Sequence, residues 1–305
     1  MTQTLDTRFR RAVPLLLRPW EEVVIVIVGV GGTGSWLAVQ AARLLRILHK
    51  RGKKARLVLV DPDVVEEKNI YRQNFCDADL ADDGSPLHKA SSLAFRLSLA
   101  WGLDVAAITE QFQPFLLEDY PHPYYGKKCE RLTIVVGCVD NAQARQAIFK
   151  TVEANRSFEA PYYFVLDCGN FATHEDGNES GQVLLGSAAT PLGMQHAFSI
   201  SKNCIALPSP ALQAPDLLIA RPEEQEQTPL SCAEITQANE QGLMINPTIA
   251  VIAAQYLFSM LVYGKLKRFA TYVDVSSGTQ SSEYITPDTL ARVIGKEPSF
   301  FTKKR

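Results

Sequence analysis

Short apolar runs alternate with stretches of helical spacing over the first half of the chain. Val23–Val28 is a row of six β-branched residues, and a run without polar positions is typical of a strand buried on both faces. The next segment, Thr33–Lys50, repeats apolar residues at helical intervals. Further strands are predicted at Arg56–Val60, Asp104–Thr109, Leu132–Val136 and Tyr162–Leu166, with one helix ending near Trp101 and another spanning Ala142–Asn155. The alternation predicts an α/β fold, a mostly parallel sheet with helices on both faces.

The second half of the chain is less regular. Gly181–Gly186 has the pattern of a strand, whereas residues 188–226 contain five prolines and little periodicity, which predicts a long crossing loop. A buried helix over Asn246–Tyr263 follows. The stretch around it carries no formal charge, but Pro247 falls in its first turn and a polar loop precedes it, so we do not expect a membrane span. Strands Phe269–Val275 and Glu283–Thr286 are then predicted to form a hairpin-like end of the same domain.

Composition narrows the function classes. Apolar residues make up 46% of the chain, enough for a large core, and the net charge of −2 favours neither nucleic acid nor a membrane surface as a partner. The six cysteines form no CxxC pair, so we do not expect a four-cysteine zinc site. The first residues lack the apolar stretch of a signal peptide, and the expectation is therefore a cytoplasmic protein with reduced thiols.

A glycine-rich turn joins the first strand to the first helix. Gly29–Gly34 reads GVGGTG, and glycines there allow a tight turn and a close approach of the backbone to a phosphate. The free N–H groups of the following helix favour an anion. The turn thus predicts a Rossmann-like nucleotide site. It does not distinguish ATP from a redox dinucleotide, and a turn that binds nothing is the alternative.

Polar residues with phosphate and metal chemistry follow two later strands. The second strand ends in Asp61-Pro62-Asp63, where a ribose would be held. The stretch 61–73 (DPDVVEEKNIYRQ) then brings Asn69, Arg72 and Gln73 close together, and 82–89 reads DDGSPLHK. The strand at Leu132–Val136 ends in GCVDN, residues 137–141.

These four motifs, in this order, resemble the ThiF/MoeB/ubiquitin-activating superfamily, which adenylates the C-termini of ubiquitin-like proteins. The second half, with SCAE at 231–234 ahead of an N-P-x-x-A helix, is most similar to ThiF-family proteins encoded in bacterial PRTRC clusters. The resemblance implies a basic N-terminal segment (1–22), an adenylation core (23–187), a crossover loop with a candidate cysteine (188–234), and a helix and strands that complete the same domain (235–305).

The resemblance also implies roles for individual residues. ATP and Mg²⁺ are the expected cofactors, with Asp140 holding the metal. Asn69, Arg72 and Lys89 would contact the triphosphate, and Asp61 the ribose. The remaining nucleotide contacts would come from Gly29, Gly31, Gly32, Gly34, Asp63, Gln73 and Asn141. Each polar residue also has a plainer interpretation: Asn69 as a turn cap, Arg72 as a partner of Glu66, and Lys89 as a solvated helix residue.

Partners and a covalent step are implied as well. The substrate would be a small ubiquitin-like or sulfur-carrier-like protein with a C-terminal glycine, and the enzyme a homodimer. Cys232, in the stretch TPLSCA, would accept the activated carboxyl as a thioester or acyl-persulfide, or else is a packed thiol beside a helix start. Cys138 and Cys168 are expected to be structural. Arg8, Arg10 or Arg11 would reach the other subunit's ATP, or else form a basic surface segment.

Three other functions stay open at this point. One is a nicotinamide-dependent oxidoreductase, which rests on the glycine turn alone. Another is an inactive scaffold that binds a ubiquitin-like protein. The last is an adenylating enzyme whose substrate is a peptide, a carbamoyl group or a non-protein carboxylate.

Overall fold

The fold is built on one mixed sheet of eight strands. A computed structural model describes residues 7–80, 87–117, 131–155, 160–172, 179–198, 203–220 and 243–302. The strands are β1 (Glu22–Val28), β2 (Lys54–Val60), β3 (Val105–Ile108), β4 (Arg131–Gly137), β5 (Tyr163–Ala172), β6 (Glu179–Gly186), β7 (Arg268–Asp274) and β8 (Thr279–Tyr284). Their order in the sheet is β3-β2-β1-β4-β5-β6-β7-β8.

Helices flank the sheet on both sides. They are α1 (Arg8–Arg11), α2 (Gly32–Lys50), α3 (Glu67–Ile70), α4 (Lys89–Trp101), α5 (Ala142–Phe149), α6 (Pro210–Gln213), α7 (Ile245–Leu261) and α8 (Pro287–Ile294). Short 3₁₀ turns lie at Asp77–Asp79, Pro114–Leu117, Lys150–Ala154, Pro191–Met194, Pro215–Leu218 and Pro298–Phe301. The α/β class with helices on both faces is thereby confirmed.

The direction of the strands places a crevice at their carboxyl ends. β3, β2, β1, β4 and β5 are parallel, and β6, β7 and β8 continue the sheet in antiparallel fashion. The chain runs outward from β1 through β2 to β3 and then returns to β4 on the other side of β1. In open α/β sheets, the ligand crevice lies at the carboxyl ends of the strands where the order reverses. Here that point is between β1 and β4.

Alternate residues of β1 build the core on the two faces. Val23, Ile25 and Ile27 pack in a cluster with α2, α4 and α7, whereas Val24 and Val26 pack with α5 and the turn after it. All seven residues of β1 are buried, as expected for a central parallel strand. The apolar run thus fixes the strand at the centre of the sheet.

Helix α7 is apolar around most of its circumference because the sheet and α2 cover it. Its Tyr256 is fully buried, and the hydroxyl shares a hydrogen bond of 2.8 Å with Thr271 Oγ1 of β7. Among the described residues, we find no helix with both the length and the apolar character needed to cross a membrane.

The C-terminal half differs from the sequence-based prediction in three places. The predicted bounds Glu283–Thr286 of the last strand are wrong: it spans Thr279–Tyr284 and is a polar edge strand recognisable by its pairing with β7. Helix α8 was not predicted. The crossing loop is partly core, because Cys204 and Leu207 are fully buried and Cys204 N–H donates to the carbonyl of Pro14.

Candidate functional site

A cleft of about 830 Å³ opens at the carboxyl ends of β1, β2 and β4. It brings together eleven of the residues proposed from sequence, which come from four separate stretches: Gly29, Gly31, Gly32, Asp61, Asp63, Asn69, Arg72, Gln73, Lys89, Asp140 and Asn141. Gly34 does not line the cleft, and Cys232 lies outside the described residues. Residues far apart in sequence therefore share one cavity.

Neighbouring backbone atoms exclude a side chain at two positions of the glycine turn. Gly29 has a φ of +83°, and a Cβ there would lie 2.6 Å from the carbonyl oxygen of Cys138. A Cβ on Gly34 would collide with the carbonyl oxygen of Gly29. Gly34 therefore packs the first turn of α2 against the glycine turn. This packing explains why the motif has glycine at position 34, although Gly34 does not line the cleft.

Asp61 ties the glycine turn to β2. Its Oδ2 accepts the Val30 N–H at 2.5 Å, and its Oδ1 accepts the Asp63 N–H at 2.9 Å. Burial raises the pKa of Asp61, while these two backbone hydrogen bonds and the nearby Lys89 lower it and partly offset that rise. Each carboxylate oxygen still has a second lone pair available for a ligand hydroxyl.

Lys89 is a buried cation at the wall of the cleft. Its Nζ lies 3.0 Å from Oδ2 of Asp63, and its side chain is only 7% exposed, whereas that of Asp63 is 65% exposed. The backbone repeats the link, since Lys89 N–H donates to the carbonyl of Asp63 at 2.9 Å. The plainer interpretation of Lys89 as a solvated residue is wrong.

Helix α3 carries the middle group of polar residues. The side-chain oxygen of Asn69 accepts the Glu66 N–H at 3.0 Å, so Asn69 caps this helix as its plainer interpretation stated. Glu66 pairs with Lys68 at 2.8 Å. Gln73 is buried beside Gly31, and no hydrogen-bond partner reaches its Oε1 within the described part of the chain. A buried acceptor without a protein partner is usually satisfied by water or by a bound ligand.

The N-terminus of α5 borders the other side of the cleft. Asn141 caps α5 by accepting the Ala144 N–H at 2.8 Å, and its amide donates to Asp140 Oδ1 at 3.3 Å. Asp140 is exposed at the cleft. Below them, Arg145 and Asp167 form a fully buried ion pair at 3.2 Å. Burial outweighs the charge of Arg145 and raises the pKa of Asp167 to about 6.

Two cysteines also line the cleft, which the sequence did not indicate. Cys138 follows β4 and Cys168 lies in β5 beside it. A hydrogen bond with the Cys138 thiol and burial raise the pKa of the Cys168 thiol, so Cys168 is a poor nucleophile. Cys76 is exposed outside the cleft.

Asn246 and Asn170 were missed as site residues. Asn246, in the first turn of α7, is 4% exposed, lines the cleft and packs over Gly32. Its Oδ1 accepts from Asn170 Nδ2 at 2.7 Å and from Thr33 Oγ1 at 3.2 Å. The available signal was an asparagine in the first turn of an otherwise apolar helix, where burial demands partners.

The N-terminal arginines lie at the other edge of the sheet. The guanidinium of Arg8 stands 5.7 Å from the ring centroid of Tyr284, and the ring of Phe9 packs edge-on against the same tyrosine. Tyr284 pairs with the first residue of β7, and this pair lies at the amino ends of the parallel strands, opposite the cleft. Helix α1 is therefore remote from the cleft of the same chain.

The donor set fits one hard cation held together with phosphates. Mg²⁺ is commonly bound by one or two carboxylates plus substrate phosphates, and Asp140 is an exposed carboxylate in the cleft. Within the described ranges, no three His, Cys, Asp or Glu side chains come together as a metal site.

Comparison with known proteins adds one family match. Residues 7–158 match the ThiF family. Two crystal structures of E. coli MccB, one with AMPCPP and MccA and one with MccA-N7isoASN, are each 15% identical to this chain with a TM-score of 0.48. The alignments cover 86% of this chain and 63% and 65% of those chains, less than two thirds of their length. Curated protein sequences include no match. The family region contains every site residue proposed from sequence except Cys232.

Proposed function

Because residues 7–158 form a ThiF family domain, we propose that this protein uses ATP to adenylate a carboxylate. The observation that carries the proposal is the cleft itself. It joins a helix N-terminus at a glycine turn, the cations Arg72 and Lys89, and the exposed carboxylate of Asp140. A triphosphate with a bound divalent ion matches that set of charges, whereas a nicotinamide dinucleotide needs neither the two cations nor a metal ligand.

The proposed reaction is a displacement at phosphorus. A carboxylate oxygen of the substrate attacks the α-phosphorus of ATP, the bond to the β-phosphate oxygen breaks, and acyl-adenylate and pyrophosphate form. Such a step depends on positioning and on neutralising charge at the phosphoryl oxygens. Lys89, buried in the cleft wall, and Arg72 supply that positive charge. Mg²⁺ held by Asp140 would neutralise charge on the phosphates.

The other polar residues have supporting roles in this proposal. Asp61 holds the glycine turn through Val30 N–H and offers its remaining lone pairs to the ribose hydroxyls. Asn69 and Asn141 shape the two helix starts at the cleft by capping them. The unpartnered Oε1 of Gln73 accepts from the ligand or from a water bound with it.

The finer proposal concerns the substrate and the fate of the adenylate. The carboxylate belongs to the C-terminal glycine of a small ubiquitin-like or sulfur-carrier-like protein, and the enzyme acts as a cytoplasmic homodimer of the PRTRC type. The Cys232 thiolate then attacks the acyl carbon and displaces AMP, giving a thioester. If a sulfur-donor protein has first transferred sulfane sulfur to Cys232, its persulfide attacks the same carbon and displaces AMP, giving an acyl-persulfide. The motif order and the TPLSCA stretch support this part.

Pyrophosphate exchange into ATP tests the adenylation step. The wild-type protein, with a purified ubiquitin-like protein that ends in Gly-Gly, should incorporate labelled pyrophosphate into ATP. Asp140→Ala should abolish exchange while the far-ultraviolet circular dichroism stays unchanged. Asp104→Ala, which removes an exposed carboxylate before β3, is the matched control and should exchange normally. Normal exchange by Asp140→Ala would remove Asp140 from the reaction.

Two further measurements separate the alternatives. Exchange with a short peptide or free acid but not with the protein would reassign the substrate, and tight NAD binding without ATP binding would favour an oxidoreductase. A thiol-labile adduct that resists SDS should form on the wild type and on Cys76→Ala but not on Cys232→Ala. An adduct that persists on Cys232→Ala would exclude this cysteine.

A further inference from the structure

We propose that Asn246 binds a phosphate of the nucleotide, and that the second half of the chain thereby contributes directly to the nucleotide site. The inference rests on the proposed function, since it takes the ligand of the cleft to be ATP. Asn246 lies outside the ThiF family region, on α7, yet its side chain lines the cleft.

The hydrogen bonds fix which end of the Asn246 amide faces the ligand. Thr33 Oγ1 and Asn170 Nδ2 both donate to Oδ1 of Asn246, at 3.2 and 2.7 Å. With its oxygen engaged by two donors, the amide presents its NH₂ group on the other side. Among the described residues, the hydrogen bonds of the Asn246 side chain involve only its Oδ1, and the residue lines the cleft although it is only 4% exposed. An NH₂ group at the wall of a cleft, with no protein acceptor among the described residues, is placed to donate to a bound ligand.

The position of this NH₂ group points to a phosphate as the acceptor. A Cβ built on Gly32 would lie 2.7 Å from Asn246 Nδ2 and 2.8 Å from its Cγ, so the amide packs flat on Gly32. Gly32 is the first residue of α2, and the N-terminus of a helix after a glycine turn is where phosphates bind. Asn246 therefore lies directly against the first residue of α2, beside the position at which a phosphate would bind. This contact also gives Gly32 a reason to be glycine, although its φ is not left-handed.

A purely structural role is the competing explanation. Asn246 would then only join α7 to α2 and β5 through its oxygen, and its NH₂ group would be irrelevant. Asn246→Asp separates the two explanations because aspartate keeps the shape and both accepted hydrogen bonds but replaces the donor with a negatively charged oxygen. If Nδ2 meets a phosphate, only ligands that carry phosphate should lose affinity.

The experiment compares ATP with adenosine by isothermal titration calorimetry on the full chain. Asn246→Asp should weaken ATP binding by about tenfold or more, the loss expected when a hydrogen bond to a charged group becomes a repulsion, and should change adenosine binding less than about twofold. Gln255→Glu adds the same charge on an exposed position of α7 and should bind both ligands like the wild type. Asn170→Ala removes one of the two orienting donors, so it should weaken ATP binding by about threefold with adenosine unchanged.

Results other than these would overturn either the proposed function or the role of Asn246. If the wild type binds NAD but no ATP, the proposed function fails and the inference fails with it. If the wild type binds ATP and Asn246→Asp binds it equally well, or loses ATP and adenosine to the same extent, the inference alone is overturned. If Asn246→Asp does not fold, the Asn170→Ala result decides: equal losses for the two ligands refute a phosphate contact.

Discussion

The left-handed conformation of Gly29 allows a sharp prediction about the glycine turn. Gly29 and Gly52 both have a positive φ, +83° and +73°. They differ in their surroundings: a Cβ on Gly29 would lie 2.6 Å from the Cys138 carbonyl oxygen, whereas a Cβ on Gly52 meets nothing within 4 Å. Alanine at the two positions therefore separates the cost of the backbone conformation from the cost of the collision.

The magnitudes follow from these two terms. A non-glycine residue in the left-handed region costs about 1–2 kcal/mol, and alanine recovers about 0.4–1 kcal/mol by restricting the unfolded chain. Gly52→Ala should thus lower the free energy of unfolding by about 1 kcal/mol. Gly29→Ala adds an overlap with backbone atoms, which cannot rotate away as a side chain can. Overpacking of this kind costs about 1–3 kcal/mol, so the total loss should be about 2–4 kcal/mol.

Urea unfolding followed by circular dichroism measures both losses. Equal slopes against urea for the wild type and the two variants would show that their free energies of unfolding are comparable. Gly29→Ala should be less stable than Gly52→Ala by about 1–3 kcal/mol. Equal destabilisation by the two variants would refute the collision with Cys138 and leave backbone conformation as the whole cost.

Two more predictions concern the ion pair and the cap at α5. The pKa of Asp167 is about 6 when folded and 3.8 ordinarily, so the folded state holds a proton that the unfolded state releases between those values. Urea unfolding should therefore show that the free energy of unfolding of the wild type, relative to that of Asp167→Asn, falls by about 3 kcal/mol as the pH rises from 3.5 to 7. If this difference instead rises with pH, burial is not the dominant effect on the pKa of Asp167. Asn141→Ala should lose about 1 kcal/mol of thermal stability because the Ala144 N–H loses its acceptor, whereas Asn141→Asp should retain most of it.

Local signals in the sequence predict the parallel half of the sheet well. The β-branched run of β1 needs burial on both faces, and the glycine turn and Asp61 follow strands whose ends must meet at one edge. That Lys89 and Asp140 line the same cavity is predictable only from the order of the four motifs, because neither residue has a local pattern that marks it as part of a site.

The missed features depend on contacts between distant parts of the chain. β8 reads TQSSEY and has no apolar alternation, because as an edge strand it buries little and is defined by pairing with β7. Asn246 is recognisable as a site residue only from its contacts with Gly32 and Asn170, and no spacing along the sequence predicts these contacts. Cys138 and Cys168 are neighbours because β4 and β5 are neighbours.

The contact between Thr33 and Asn246 joins points 213 positions apart in the chain. Closing so long a loop costs conformational entropy before any contact repays it, and contacts of high sequence separation slow folding. During synthesis, a chain that has emerged only as far as β6 can pair its parallel strands but still lacks this wall of the cleft. A ligand that binds only the completed cavity stabilises the last step of folding by mass action. We therefore expect saturating nucleotide to protect α7 from hydrogen exchange more than it protects β1, so that the fraction of chains with a completed cleft rises with the nucleotide concentration.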